Sequence, residues 1–222
     1  MFTGLKNHKR MMKMKKITAI LICMVMMFAA TSAIAAPSEW AAAEVDKAIQ
    51  TGLVTAILQK EYQKEVTREE FCSLAIRFYA QIASIPQEEG ENPFTDTDNP
   101  DVILAAHLGI VNGVGEGIFA PVAPVTRQEM CTMLVRAVDR GLSHECDLVY
   151  EGTYPDADKI ADWAKPAVDF MHAHGAIKGD ENGKINPLGN TTREQAMLFS
   201  VRLYEKLQAE VWGKIAEGLL GM

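Results

Sequence analysis

The chain has 222 residues, with 22 basic and 29 acidic side chains and a formal net charge of −7. An acidic chain of this kind excludes nucleic acid and anionic membrane surfaces as general partners, because it has no broad basic face to offer them. Its 48% hydrophobic content and its length suit one compact domain or a few small repeats.

Residues 1–35 read as a secretory signal peptide. Lys6, Lys9, Arg10, Lys13, Lys15 and Lys16 form a basic start, and Ile17 to Ala30 is an apolar run too short for a comfortable membrane span. Ala33-Ile34-Ala35 is a small-residue cleavage site, and Ile22 before Cys23 is too large for a lipoprotein cysteine. The expectation is a secreted chain with no membrane span after cleavage. The leader holds six of the 22 basic residues and none of the acidic ones, so the remainder is more acidic still. Three cysteines remain, an odd number that does not make a disulfide framework.

The first unit covers 36–85. Ser38 is placed to cap a helix whose face carries Ala41, Val45, Ala48 and Ile49, and Gly52 ends it. Thr67 opens a second helix with Phe71, Leu74, Ala75 and Phe78 on one face. After an acidic linker, the second unit covers 93–140. Pro100 fits a first helical turn capped by Asp98 or Asn99, and Gly109 ends that helix. A Gly-rich loop from Ile110 to Gly117 and the turn Phe119-Ala120-Pro121 lead to Thr126 and a helix with Met130, Met133, Leu134 and Ala137. The third unit covers 152–207. Its first helix contains Trp163 and Pro166 and ends at Gly175, and its second follows Thr192 with Ala196, Phe199, Ser200 and Leu203. Residues 208–222 predict one more short amphipathic helix that closes the core.

One motif recurs: Thr67-Arg68-Glu69-Glu70, Thr126-Arg127-Gln128-Glu129 and Thr192-Arg193-Glu194-Gln195. A Thr followed three residues later by Glu or Gln is a capping box, which satisfies two unpaired donors at a helix start. Thr67, Glu70, Thr126, Glu129, Thr192 and Gln195 are therefore assigned as helix caps. Cys72, Cys131 and Met197 hold one equivalent place in the three copies, as small apolar core positions. A helix–loop–helix unit cannot bury its stripe alone, so the prediction is an all-α fold in which three repeats pack as a pseudo-threefold cluster around a shared helical core.

Several chemical readings are weak. Asp96-Thr97-Asp98 and Asp156-Ala157-Asp158 lack the later Gly and Glu of a calcium loop, which favours turn or cap roles. His172 and His174 point to different helix faces, so no metal site is expected. No nucleophile triad, paired-carboxylate site or cofactor motif stands out, and the chain is expected not to be an enzyme. Trp40 and Trp163 are read either as sugar-stacking platforms or as core.

The units resemble S-layer homology repeats of bacterial envelope proteins. The marks are Phe94-Thr95-Asp96 and Tyr154-Pro155-Asp156, the Trp40-Ala41 and Trp163-Ala164 pairs, Gly109-Ile110-Val111-Asn112-Gly113, Phe119-Ala120-Pro121 and the Thr-Arg-x-Glu segments. The resemblance implies a three-pronged helical spindle that binds, without covalent attachment, an anionic secondary cell-wall polysaccharide on peptidoglycan, often one bearing pyruvate ketals. It makes Arg68, Arg127 and Arg193 the ligand contacts, helped by Asn112, Gly113 and Lys178 in the loops. An Arg offers paired donors to a ketal carboxylate, and a helix N-terminus favours an anion. Unit three departs from the pattern with Gln195 and Lys178, unit one lacks the Gly-rich loop, and unit two lacks the Trp. The alternative is a helical adaptor that binds a protein partner at the cell envelope.

Overall fold

Each Thr of the recurring motif stands at the head of a helix. In the computed structural model, which describes residues 36–83, 90–142 and 150–220 with side chains up to Glu210, the helices are α1 (Ala42–Gln50), α2 (Arg68–Ile82), α3 (Pro100–His107), α4 (Arg127–Gly141), α5 (Lys165–Ala173) and α6 (Arg193–Leu220). A 3-10 turn spans Ala157–Lys159, and the only β pairing among the described residues is isolated bridges. The fold is all-α. Residues 1–35, read from sequence as a signal peptide, and Cys146 lie outside the described residues.

Helix starts follow from side-chain chemistry. Thr67 Oγ1 accepts from the Glu70 N–H at 3.2 Å, and Glu70 accepts from the Thr67 N–H at 3.2 Å. Thr192 and Gln195 make the same reciprocal pair, each bond at 3.3 Å. Glu129 accepts from both the N–H and the hydroxyl of Thr126. On α3, Asn99 accepts from the Asp101 N–H, with Pro100 at the first helical position. The first helix of each copy is followed by a glycine at φ of 75°, 71° and 68° (Gly52, Gly109, Gly175). This is the left-handed turn that releases the chain from the helix.

The apolar stripes of α2, α4 and α6 form the core. Phe71, Leu74, Ala75, Phe78, Met130, Leu134, Ala137, Ala196 and Leu203 are all fully buried, as are Cys72, Cys131 and Met197. Burial pushes the Cys131 thiol up to about 12, so both cysteines act as small apolar groups.

Two local expectations are corrected. Ser38 does not cap α1. A turn closed by its carbonyl precedes the helix, and its hydroxyl bonds to Glu194 instead. The C-terminal tail is not a separate helix, because α6 runs without interruption from Arg193 to Leu220.

The copies are joined cyclically. The second helix of one packs on the first helix of the next: α2 on α3, α4 on α5, and α6 on α1. The backbone closes the same cycle. Val66 N–H donates to Thr191 O at 2.9 Å, Thr191 N–H to Val125 O at 2.9 Å, and Val125 N–H to Val66 O at 3.2 Å. Just beyond this ring, the N–H groups of Arg68, Arg127 and Arg193 donate to Ala123, Gly189 and Lys64, each in the loop of the following copy. Orphan donors at three helix starts are thus satisfied by neighbouring loops rather than by water.

Candidate binding cleft

The arginine of the recurring motif and the residue after it both reach across to the next copy. The Arg68 Nε donates to Phe119 O at 2.9 Å, Arg127 Nη1 to Ile185 O at 2.9 Å, and Arg193 Nη1 to Lys60 O at 2.9 Å. Each accepting carbonyl immediately precedes a residue at positive φ: Ala120 at 61°, Asn186 at 54° and Glu61 at 50°. The left-handed turn aims that carbonyl at the arginine.

Each arginine also meets the capping residue of the following copy. Arg68 lies 3.6 Å from Glu129, Arg127 donates to Gln195 at 3.3 Å, and Arg193 holds Glu70 through two nitrogens. The residue after the arginine reaches the head of the next copy's first helix. Glu69 accepts from Asn99, Gln128 from the Ala161 N–H, and Glu194 from the N–H and hydroxyl of Ser38.

The three arginines therefore differ in what remains of their charge. Arg193 is 2% exposed and is shared between Glu70 and Glu61. Its surroundings stabilise the charged form, with the Glu70 hydrogen bond the main cause. Arg127 faces the neutral Gln195, its Nε has no partner among the described residues, and burial pulls its pKa down. Arg68 stacks over the Phe119 ring at 4.9 Å and lines an open cleft.

That cleft has a volume of about 400 Å³. Arg68, Asn112, Gly113, Glu129, Arg136 and Trp163 are among its walls, so three of the sequence-predicted contacts, Arg68, Asn112 and Gly113, come together there. Arg127, Arg193 and Lys178 do not line it. Gly113 is required by the loop itself, because a Cβ there would sit 2.6 Å from the Ile118 carbonyl oxygen. The loop is held from outside by Asp96, which accepts from the N–H groups of Phe119 and Ala120. Asp156 clamps Ile185 and Asn186 in the same way. These aspartates are turn clamps, and no group of His, Cys, Asp and Glu able to hold a metal is found among the described residues.

One cleft residue was missed from sequence and another was left between two readings. Arg136 has no hydrogen-bond or ion-pair partner among the described residues, and it is the one cation of the cleft left without a carboxylate. A signal for it existed: Arg77, Arg136 and Arg202 follow the motif arginines at one constant spacing. Trp163 is not core. It is 55% exposed and Trp40 is 61% exposed, while the alanines after them, Ala41 and Ala164, are fully buried.

The clamps make a prediction for acid. Asp96 is held below the usual carboxylate range chiefly by the Phe119 N–H, and Asp180 by the N–H groups of Lys184 and Asn182. A lowered folded pKa means that the unfolded chain binds more protons in acid. The stabilisation is complete above the unfolded carboxylate range of about pH 4 and is lost as pH falls through the lowered folded values. Urea unfolding is expected to give level stability from neutral pH to about pH 5, then a decline. Asp96→Asn should show a smaller acid decline. A decline that starts near neutrality would contradict this assignment.

The S-layer homology domain model matches residues 93–131 and 153–197. The chain is an S-layer homology domain protein. The 125 kDa surface-layer protein of Lysinibacillus sphaericus is 34% identical over 131 residues, which is 55% of this chain and 11% of that protein. The S-layer protein of Bacillus thuringiensis subsp. finitimus is 24% identical over 183 residues, 78% of this chain and 21% of that protein. An amylopullulanase of Thermoanaerobacterium thermosulfurigenes is 28% identical over 174 residues, 75% of this chain and 9% of the enzyme. The chain thus spans only a small part of the length of these relatives. In this S-layer homology domain protein, residues 36–83 lie outside the matched segments, yet Val66, Arg68 and Glu70 take their places in the same cycle of bonds. No helix among the described residues is long and apolar enough to cross a membrane.

Proposed function

We propose that this chain is an exported, non-catalytic anchor that holds an anionic cell-wall polysaccharide in the Arg68–Arg136 cleft. It is a protein of the cell surface, as the names of its surface-layer relatives and its S-layer homology domains support. The observation that carries the reading is Arg136, a cation with no ion-pair partner among the described residues, beside an exposed tryptophan in a cleft of an otherwise acidic chain. Arg136 offers paired donors to a carboxylate such as that of a pyruvate ketal. Trp163 offers an apolar face to a sugar ring, and the Gly113 backbone permits close approach. Arg68, fixed by Phe119 and Asn112 carbonyls, supports the loop from behind and adds to the local positive potential. The enzymes among the relatives are many times longer than this chain, and the region they share with it fits an anchoring module.

The test is cosedimentation with cell-wall sacculi before and after the secondary polymer is stripped. Stripping is expected to abolish pelleting, and Arg136→Gln to weaken it by about tenfold or more, the worth of a charged hydrogen bond. Undiminished pelleting on stripped walls would overturn the reading. Retention by an isolated envelope protein, with none by the polymer, would replace it with the adaptor alternative.

A further inference from the structure

We infer that this chain takes its anionic ligand at one cleft only, because the carboxylate of Glu44 already occupies the equivalent anion position in the neighbouring copy. The inference rests on the polysaccharide reading and adds a stoichiometry to it. The register is set by buried residues. Ala41, Val45 and Ala48 on α1 correspond to Ala164, Val168 and Met171 on α5, all at 1% exposure or less. The exposed Trp40 and Trp163 stand just ahead of each set. In this register Glu44 corresponds to Ala167. On the helices that pack against α1 and α5, Arg202 of α6 corresponds to Arg136 of α4.

The difference that matters at the anion position is Glu44 in place of Ala167. Glu44 accepts from Arg202 Nε at 2.6 Å and from Nη2 at 2.5 Å, a planar fork on a carboxylate. That is the geometry by which an arginine takes a carboxylate ligand. The Arg202 hydrogen bond, with Lys178 and Lys47 near, keeps the Glu44 carboxyl ionised below its usual range. Ala167 offers no acceptor, and Arg136 lines the open cleft with no partner among the described residues. The loop differs in the same sense, since Asp180 holds the place that Val114 holds in the cleft wall, and it lies close enough to Arg127 to sense its charge. Glu44 is an internal stand-in for the ligand. The remaining copy has no tryptophan at this place but Thr97, and its motif partner Arg193 is consumed by Glu70 and Glu61.

A reciprocal pair of substitutions tests the inference on the purified full chain. The probe is a methyl hexoside bearing a pyruvate ketal, titrated by calorimetry, with its methyl ester as control. Wild type is expected to bind one probe per chain. Glu44→Ala is expected to bind two, and Ala167→Glu to lose affinity by about tenfold or more as the new carboxylate pairs with Arg136. Circular dichroism checks that each variant is folded. Should Ala167→Glu fail to fold, the gain of a site in Glu44→Ala decides alone. Two sites in wild type, or one site in folded Glu44→Ala, overturns the inference while leaving the polysaccharide reading intact. No saturable binding by any folded variant overturns both.

Discussion

Arg193→Met is expected to destabilise the protein by about 3 kcal/mol, because it leaves a largely buried partner carboxylate without its cation. Glu70 is 15% exposed at its side chain and receives two nitrogens of Arg193, and the same guanidinium satisfies the Lys60 carbonyl and Glu61. All of these partners belong to the first copy, so the loss falls on the contact between the last copy and the first. Urea unfolding of the variant measures it. A double variant, Arg193→Met with Glu70→Met, should recover much of the loss, since the penalty is mainly the stranded charge. The exposed Lys47–Glu205 pair, 54% and 47% exposed, is the comparison, and Lys47→Met should cost less than about 1 kcal/mol. Equal costs for the two single variants would contradict the role given to Arg193.

Phe119→Ala is expected to cost about 3–5 kcal/mol, the range for a truncated core phenylalanine. Its ring is fully buried and packs on Phe94 at 5.2 Å, with the Arg68 guanidinium over it at 4.9 Å. Its carbonyl holds Arg68 and its N–H is held by Asp96, so the backbone bonds that shape the cleft loop meet at this residue. Binding to wall polymer should weaken together with stability, and Phe119→Leu should restore a large part of both. A Phe119→Ala variant with wild-type unfolding would show that the cavity relaxes fully, against the packing described here.

Sequence carried the helix starts well, because a capping box is a local device whose partners lie three residues apart. It carried the core stripes for the same reason, since their period is that of the helix. The destination of the arginines was not local. Arg193 meets Lys60 and Glu70, which are distant in sequence, and nothing in the spacing of Thr-Arg-x-Glu says that the side chain leaves its own copy. The exposure of Trp163 was illegible in another way, since a tryptophan beside a buried alanine satisfies either reading until the neighbouring copy is placed. Arg136 was legible and was passed over. Its repeat with Arg77 and Arg202 is visible in the sequence, but only the pairing of Arg202 with Glu44 shows that equivalent arginines can meet different fates.

The ring of backbone bonds at Val66, Val125 and Thr191 also orders events in time. Two of its three edges include Thr191, so a chain delivered N-terminus first has a single edge available until that residue emerges. Closure then joins segments that are far apart along the chain, a step whose entropy is lost before its contacts form and which slows folding. The same connectivity that locks the finished molecule leaves a partly delivered chain with two of the three edges unmade.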